Sequence, residues 1–199
     1  MRPPVSRFGY LRKAGVGAMS GVKPSKSMRC LQVTKKSCKF ANAMIKILFV
    51  CHGNICRSPM AEFVMKDLVR KAGLADDYLI ASAATSMEEI GNEVYPPARR
   101  KLAEHDISCK GKTARQMTRS DYDRYDLLIG MDTWNIRNMN RICGGDPEGK
   151  IRMLMDYTDR PGDVADPWYT GNFEATWQDV LLGCQQLLRQ TSKNLKTSK

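Results

Sequence analysis

The sequence predicts an α/β fold in which a doubly wound, four-stranded parallel sheet carries helices on both faces. Short apolar runs, typical of strands buried on both faces of such a sheet, alternate along the chain with longer segments of helical periodicity. The first run, residues 45–50, leads into a loop with Gly53 and Asn54 and then into Ser58-Pro59. Because Gly and Asn tolerate positive φ and Pro suits the first turn of a helix, this stretch predicts a strand, a tight loop and a helix.

The other elements continue the alternation. Three further strands are expected, at residues 78–82, 126–131 and 151–155. Helical segments are expected at residues 59–73, 96–105, 121–125 and 133–142, and from about 173 onwards. Thr133 is expected to cap the helix that follows it, and the aromatic side chains of the helices, Trp134 included, are expected in the core. Since ligands bind at the carboxyl ends of parallel strands, the site is expected directly after the first strand.

The distribution of charge divides the chain into a basic N-terminal extension and a nearly neutral remainder. Residues 1–43 hold ten of the 32 Lys and Arg residues and none of the 21 Asp and Glu residues, so the formal charge of +11 lies almost entirely there. We expect residues 1–43 to be a basic, disordered extension, residues 44–191 the folded domain, and residues 192–199 a basic C-terminal tail.

Three origins of the basic extension stay open: an organellar transit peptide, a basic arm for nucleic acid or anionic lipid, and translation from a start upstream of Met44. The near-neutral domain does not favour a nucleic-acid-binding protein, and no required nucleic acid is expected. No apolar run is long enough for a signal peptide or a membrane span. Seven cysteines, an odd number, favour reduced thiols and a cytoplasmic location.

The loop after the first strand contains Cys51, five further residues and Arg57. A loop whose backbone N–H groups converge at a helix N-terminus forms an anion cradle, and a guanidinium can complete it with bidentate hydrogen bonds to phosphate. A thiol in that positive environment becomes a thiolate nucleophile. The alternatives are a buried thiol that merely ends a strand, and a metal site, which the spacing of Cys51, His52 and Cys56 disfavours.

The loop resembles the phosphate loop of the low-molecular-weight protein tyrosine phosphatases, through Cys51-His52-Gly53-Asn54-Ile55-Cys56-Arg57-Ser58-Pro59. The other matching segments follow in the family's order and are Ser82-Ala83-Ala84-Thr85-Ser86, Ala114-Arg115-Gln116, Met131-Asp132 and Asp166-Pro167-Trp168-Tyr169. The resemblance therefore covers residues 44–190, almost the whole of the expected domain.

The resemblance implies a role for each matching residue. Cys51 is the expected nucleophile, Arg57 the phosphate ligand, and Asp166 the general acid and then the general base. The expected phosphate-binding and substrate-binding residues are His52, Gly53, Asn54, Ile55, Cys56, Ser58, Trp168 and Tyr169. Ser82 is expected to hydrogen-bond Asn54, and Ser58 to stabilise the departing thiolate. Trp168 and Tyr169 are expected to form the walls of a deep slot for phenyl phosphates, and Cys56 is expected to be the redox partner of Cys51.

The expected activity is hydrolysis of phosphotyrosine and aryl phosphate monoesters through a phosphocysteine, without metal or cofactor. The expected partner is a tyrosine-phosphorylated protein or a small aryl phosphate, and the expected assembly a monomer or weak dimer. Two alternatives share the loop. Protein arginine phosphatases resemble it with threonine in place of Ile55, and arsenate reductases need two further mobile cysteines, whereas Cys109 and Cys143 are isolated.

Two positions depart from the family pattern and leave the substrate preference open. Lys112 stands where family members often carry a histidine that bonds the phosphate-loop asparagine, and Glu88 stands near a common aromatic position. Glu88 beside an anionic substrate is expected to disfavour acidic phosphopeptides unless it points into solvent.

Overall fold

The computed structural model describes residues 44–197. The expectations for residues 1–43, and for the last two residues of the C-terminal tail, lie outside this range. Within it, no helix is both long enough and apolar enough to cross a bilayer.

The four expected strands form one parallel sheet in the order β2-β1-β3-β4. They are β1 (Ile45–Cys51), β2 (Tyr78–Ala84), β3 (Leu127–Gly130) and β4 (Ile151–Met153). The central strand β1 pairs with both β2 and β3, placing Phe49 beside Ser82 on one side and Ile129 on the other. This arrangement confirms the fold class predicted from the apolar runs.

Six α-helices lie within the described residues. They are α1 (Arg57–Lys71), α2 (Pro96–Ala103), α3 (Arg119–Arg124), α4 (Thr133–Cys143), α5 (Pro167–Thr170) and α6 (Phe173–Thr197). Two 3₁₀ turns, Ala75–Asp77 and Leu154–Tyr157, complete the elements. Helix α6 continues through residues 192–197, which the sequence analysis assigns to a tail.

The side chains of β1 alternate between two apolar clusters, one on each face of the sheet. Ile47 and Phe49 pack in a cluster that includes residues of α1 and α6, whereas Leu48 and Val50 pack in a cluster that includes residues of α3 and α4. All four side chains are fully buried. The continuous apolar run in the sequence therefore reflects helices on both faces.

Details of α4 and β4 also differ from the sequence expectations. The N-cap of α4 is Asp132 rather than Thr133, because the Asp132 carboxylate accepts a hydrogen bond from the backbone N–H of Asn135 at 2.6 Å. Strand β4 ends at Met153, where the chain turns into the 3₁₀ segment. Trp134 is 65% exposed instead of lying in the core, because it is rotated by about 200° from Ile136 on an α-helix.

Candidate active site

The loop between β1 and α1 curls back around the Cys51 thiol. The backbone N–H of Asn54 points at the Cys51 sulfur at 3.3 Å, and the Ser58 hydroxyl lies 3.1 Å from the same sulfur. Arg57 begins α1, so the positive end of the helix also faces the loop. The Asn54 N–H and the helix N-terminus can both stabilise negative charge at this position.

Asn54 adopts a left-handed backbone conformation with φ 59°. For a residue with a Cβ this conformation costs about 1–2 kcal/mol, so other contacts must hold it. The Asn54 amide donates to the hydroxyls of Ser58 and Ser82, each at 2.8 Å, and its carbonyl accepts from the backbone N–H of Arg115 at 3.2 Å. The bond expected between Ser82 and Asn54 is thus present, and it belongs to a set of three.

A buried carboxylate, Glu62, orients the Ser82 hydroxyl. Ser82 donates to Glu62 Oε2 at 2.5 Å, and a carboxylate can only accept, so the oxygen lone pairs of Ser82 face the amide of Asn54. Lys112 lies 3.3 Å from Glu62 Oε2 and donates to the backbone carbonyl of Ser82 at 3.2 Å. Burial lowers the pKa of Lys112, although the Glu62 charge opposes that shift.

Lys112 therefore contacts Ser82 and Glu62, which support the loop, and makes no hydrogen bond to Asn54. Glu62 was not among the residues predicted from the sequence. The sequence feature that points to Glu62 is a charged residue within the apolar, buried part of α1, between Ala61 and Val64. A buried charge of this kind needs partners, and here Ser82, Lys66 and Lys112 supply them.

Arg57 is 4% exposed and lies between two carboxylates. Its Nη1 donates to Asp132 Oδ2 at 2.7 Å, and its Nη2 lies 2.6 Å from Asp166 Oδ2. Burial opposes the guanidinium charge, but Cys51, Asp166 and Asp132 together raise the pKa of Arg57 above its ordinary value. Asp132, matched in the sequence only as part of Met131-Asp132, thus caps α4 and holds Arg57.

Asp166 lies at the N-terminus of α5, a short helix that the sequence analysis did not predict. Its Oδ1 accepts from the backbone N–H of Trp168 at 3.0 Å, while its Oδ2 faces Arg57. Helix α5 ends at Gly171, whose φ of 66° favours glycine. This cap orients the Asp166 carboxylate toward the loop, although 115 positions separate Asp166 from Cys51 in the sequence.

Cys51, Arg57 and Asp166 line one cleft of about 550 Å³. The other predicted residues that line it are His52, Gly53, Ile55, Cys56, Trp168 and Tyr169. Asn54, Ser58 and Ser82 are buried and do not line the cleft. At the rim, the Trp168 ring contacts Tyr95 at 5.5 Å between centroids, and Trp168 and Tyr169 are 58% and 86% exposed. The two aromatic residues therefore form an open mouth.

His52 and Cys56 differ in environment although both lie in the loop. The His52 ring is exposed and lies 3.0 Å from the Glu88 carboxylate. Cys56 is buried, and burial, with the nearby Cys51 and Asp166, raises the pKa of Cys56 to about 12. Cys56 is therefore a neutral thiol at physiological pH.

The hydrogen bonds around Asn54 generate a first prediction. Replacing Ser82 with alanine removes the acceptor of the Asn54 amide and the donor to Glu62, so we expect Ser82→Ala to lower the free energy of unfolding by about 1–3 kcal/mol. Binding of inorganic phosphate, measured by calorimetry, should weaken about tenfold as the loop relaxes. Ser86→Ala is the matched control, because the buried Ser86 hydroxyl has no hydrogen-bond partner within residues 44–197. Equal phosphate affinities in the two variants would contradict the prediction.

Comparison with known proteins agrees with this geometry. The family model described as "Low molecular weight phosphotyrosine protein phosphatase" matches residues 46–197. The low molecular weight protein-tyrosine-phosphatase YfkJ of Bacillus subtilis is 41% identical over 152 residues, covering 75% of this chain and 97% of YfkJ. The rat low molecular weight phosphotyrosine protein phosphatase is 37% identical over 150 residues, covering 73% and 94% of the two chains.

Solved structures show the same relationship. The crystal structure of YfkJ superposes with a TM-score of 0.74 and covers 76% of this chain and 97% of that one. A Drosophila arginine phosphatase, DARP, superposes with a TM-score of 0.68 at 28% identity, covering 74% and 98% of the two chains. The family match and the identity to curated relatives establish that this chain belongs to the low molecular weight protein tyrosine phosphatases, which are cysteine-dependent enzymes.

Proposed function

We propose that this enzyme hydrolyses phosphotyrosine and other aryl phosphate monoesters through a phosphocysteine at Cys51. The observation that carries this proposal is the convergence of the Cys51 thiol, the Arg57 guanidinium and the Asp166 carboxylate on one cleft. A nucleophile, an anion ligand and a proton donor are the groups that phosphoryl transfer from a phenol requires.

In the first step the Cys51 thiolate attacks phosphorus, a sulfur–phosphorus bond forms, and the bond from phosphorus to the phenolic oxygen breaks. Asp166 gives its proton to the departing phenolate, and Arg57 binds two of the phosphate oxygens. Asp132 keeps the guanidinium in position throughout, because its bond to Nη1 is independent of Asp166. Because the guanidinium is already in position, it need not reorient as negative charge develops on the phosphate oxygens.

In the second step a water molecule attacks the phosphocysteine, and Asp166 accepts a proton from that water. The sulfur–phosphorus bond breaks and Cys51 leaves as a thiolate. The Ser58 hydroxyl, 3.1 Å from the sulfur, and the Asn54 N–H, 3.3 Å from it, stabilise the thiolate as it departs.

We infer selectivity for phosphotyrosine from the residues at the rim of the cleft. With the phosphate at the loop, the connecting group passes Trp168 and Tyr169, against which a planar phenyl ring can stack and a serine side chain cannot. Ile55, largely buried, offers no polar group to the guanidinium of a phosphoarginine. Cys109 and Cys143 are buried and neither lines the cleft, which disfavours arsenate reduction.

A substrate panel tests this assignment. The full chain should be assayed with free phosphotyrosine, phosphoserine, phosphoarginine and, with a thiol reductant, arsenate. We expect kcat/KM for phosphotyrosine to exceed that for the others by about 10²-fold or more, since the competitors lack the ring that the rim contacts. A higher kcat/KM for phosphoarginine, or arsenate turnover without phosphotyrosine turnover, would assign the site to one of the alternatives.

The role of Asp166 generates a second prediction. Asp166→Asn keeps the size of the side chain but removes the transferable proton, so hydrolysis of phenyl phosphate should slow by about 10²–10⁴-fold. The loss should be smaller for p-nitrophenyl phosphate, whose leaving group departs without a proton. Asp159→Asn, an exposed position earlier in the same loop, is the matched control. Equal losses on the two substrates would remove Asp166 from the acid role.

We also propose that the enzyme works in the cytoplasm and is regulated by reversible oxidation. Cys51 must be reduced to attack phosphorus, and Cys56, in the same loop, lines the same cleft. Peroxide would oxidise the Cys51 thiolate to a sulfenic acid, and the Cys56 thiol would then displace water to form a Cys51–Cys56 disulfide.

Cys56→Ser should therefore retain activity but lose recovery after peroxide treatment, because the sulfenic acid oxidises further without a second thiol. Wild type should recover with dithiothreitol, and Cys109→Ser, which alters a buried thiol outside the cleft, should behave like wild type. Mass spectrometry of the oxidised enzyme provides the decisive readout. Sulfinate at Cys51 beside a free Cys56 in wild type would refute the redox role.

A further inference from the structure

The cleft is lined by a third large aromatic residue that the reaction does not use. Trp134, the second residue of α4, is 65% exposed, yet it lines the same cleft as Cys51 and Arg57. An exposed tryptophan beside a cleft indicates a binding contact more strongly than a single exposed apolar residue elsewhere, because a ligand in the cleft can bury its apolar surface. Its position indicates contact with parts of the substrate beyond the phosphate.

The strand order places different segments on the two sides of the phosphate loop. The loop follows β1, the segment carrying Glu88 and Glu89 follows β2, and α4 follows β3. Because β2 and β3 flank β1 on opposite sides, Trp134 faces Glu88 and Glu89 across the loop. We name these surfaces the α4 flank, formed by Trp134, Arg137 and Asn138, and the acidic flank, formed by Glu88 and Glu89.

The α4 flank combines an apolar surface with a positive charge. The Arg137 guanidinium lies over the Trp134 ring, 4.8 Å from its centroid, a cation–π contact that orders both side chains. Arg137 is exposed and has no carboxylate partner within residues 44–197. Asn138 lines the cleft one turn after Trp134, and its side-chain amide has no hydrogen-bond partner in the described part of the chain.

Helix α4 holds this flank rigidly. Asp132 caps its first turn and binds Arg57, and the Asn135 amide accepts from the backbone N–H of Met131 at 3.1 Å. Trp134 and Arg137 project from a helix that is bonded directly to the catalytic arginine. The backbone that carries the flank is therefore held in position relative to Arg57.

The acidic flank has the opposite sign. Glu88 pairs with the exposed His52 ring, and Glu89 accepts from the Asn92 side chain at 2.7 Å, which leaves the carboxylate charge of Glu89 uncompensated. Arg137 does not line the cleft itself but lies over the Trp134 ring, so it places a positive charge on the outer part of the α4 flank, across the loop from Glu88 and Glu89. Besides the cap Asp132, the carboxylate at the start of α4 is that of Asp163, which accepts from the backbone N–H of Thr133 at 3.1 Å. Unlike charges on the two flanks give a physical basis for discriminating between peptides by charge.

We propose that Trp134 and Arg137 determine substrate specificity by receiving the residues beside the phosphotyrosine, and that the enzyme prefers a phosphopeptide with acidic residues on the α4 side. This inference rests on the proposed function. An extended peptide advances about 3.3 Å per residue, so side chains one or two positions from the phosphotyrosine reach beyond the rim. There their apolar parts pack on Trp134 while a carboxylate pairs with Arg137.

Four phosphotyrosine peptides test the proposal. Each carries two Glu or two Lys residues, placed either before or after the phosphotyrosine, with alanine elsewhere. We expect the Glu peptide to exceed the Lys peptide in kcat/KM by about fivefold on one side of the phosphotyrosine, the size of an exposed ion pair gained in place of a repulsion. Whether the preference appears before or after the phosphotyrosine shows in which direction the peptide binds. The preference should decrease as ionic strength rises.

Variants of α4 identify the residues responsible. Arg137→Gln should abolish the preference and Arg137→Glu should reverse it. Arg141→Gln removes the same charge one turn further along α4, about 6 Å from Arg137 along the axis, and should keep the preference. Trp134→Ala should raise KM for all four peptides about three- to tenfold, and Trp134→Phe should restore most of the loss.

The outcomes separate this inference from the proposed function. If free phosphotyrosine is hydrolysed but the four peptides have equal kcat/KM, or Arg137→Glu leaves their order unchanged, the inference is wrong and the proposed function stands. If free phosphotyrosine is not hydrolysed, the proposed function is wrong and the inference fails with it.

Discussion

The left-handed backbone of Asn54 is the constraint on which the site depends. Its φ of 59° turns the loop so that the Asn54 N–H points at the Cys51 sulfur. The conformation persists because the Asn54 side chain is bound by Ser58, Ser82 and the backbone of Arg115. Buried polar networks of this kind are stable only when every member has its partner, and Glu62 with Lys112 completes this one. These contacts thus hold the loop after β1 from the side opposite the cleft.

Electrostatic balance is the second requirement. Arg57 is buried, and an unpaired buried charge would cost several kcal/mol, so its two carboxylate partners are needed to stabilise it. Asp132 is bound to α4 as its cap, whereas Asp166 lies on the short α5 at the mouth. One partner is therefore a permanent support, and the other lies where it reaches both the guanidinium and an entering substrate.

The fold and the loop after β1 could be predicted from the sequence because their signals are local, whereas only the family resemblance points to Asp166, 115 positions after Cys51. The β1 run, the Gly53 and Asn54 turn and Ser58-Pro59 predict strand, loop and helix from neighbouring residues alone, and the structure confirms the sheet. Contacts of Glu62 and Asp132 could not be read, because their partners lie 20 and 75 positions away in the sequence. The residue type of Trp134 predicts a place in the core, whereas its angular position on α4 exposes it to solvent. Helix α5, with four residues, is too short for its apolar residues to show helical periodicity in the sequence.

The central claim is that the anion is held by the loop backbone and Arg57, while only the Cys51 thiolate attacks phosphorus. The most direct measurement is phosphate or vanadate binding by Cys51→Ser, determined by calorimetry together with turnover of phosphotyrosine. We expect an affinity within about tenfold of wild type, because the cradle is unchanged. Turnover should fall below about one per cent, because a serine hydroxyl is a much weaker nucleophile than a thiolate. Substantial turnover by Cys51→Ser, or loss of anion binding with the fold intact, would contradict it.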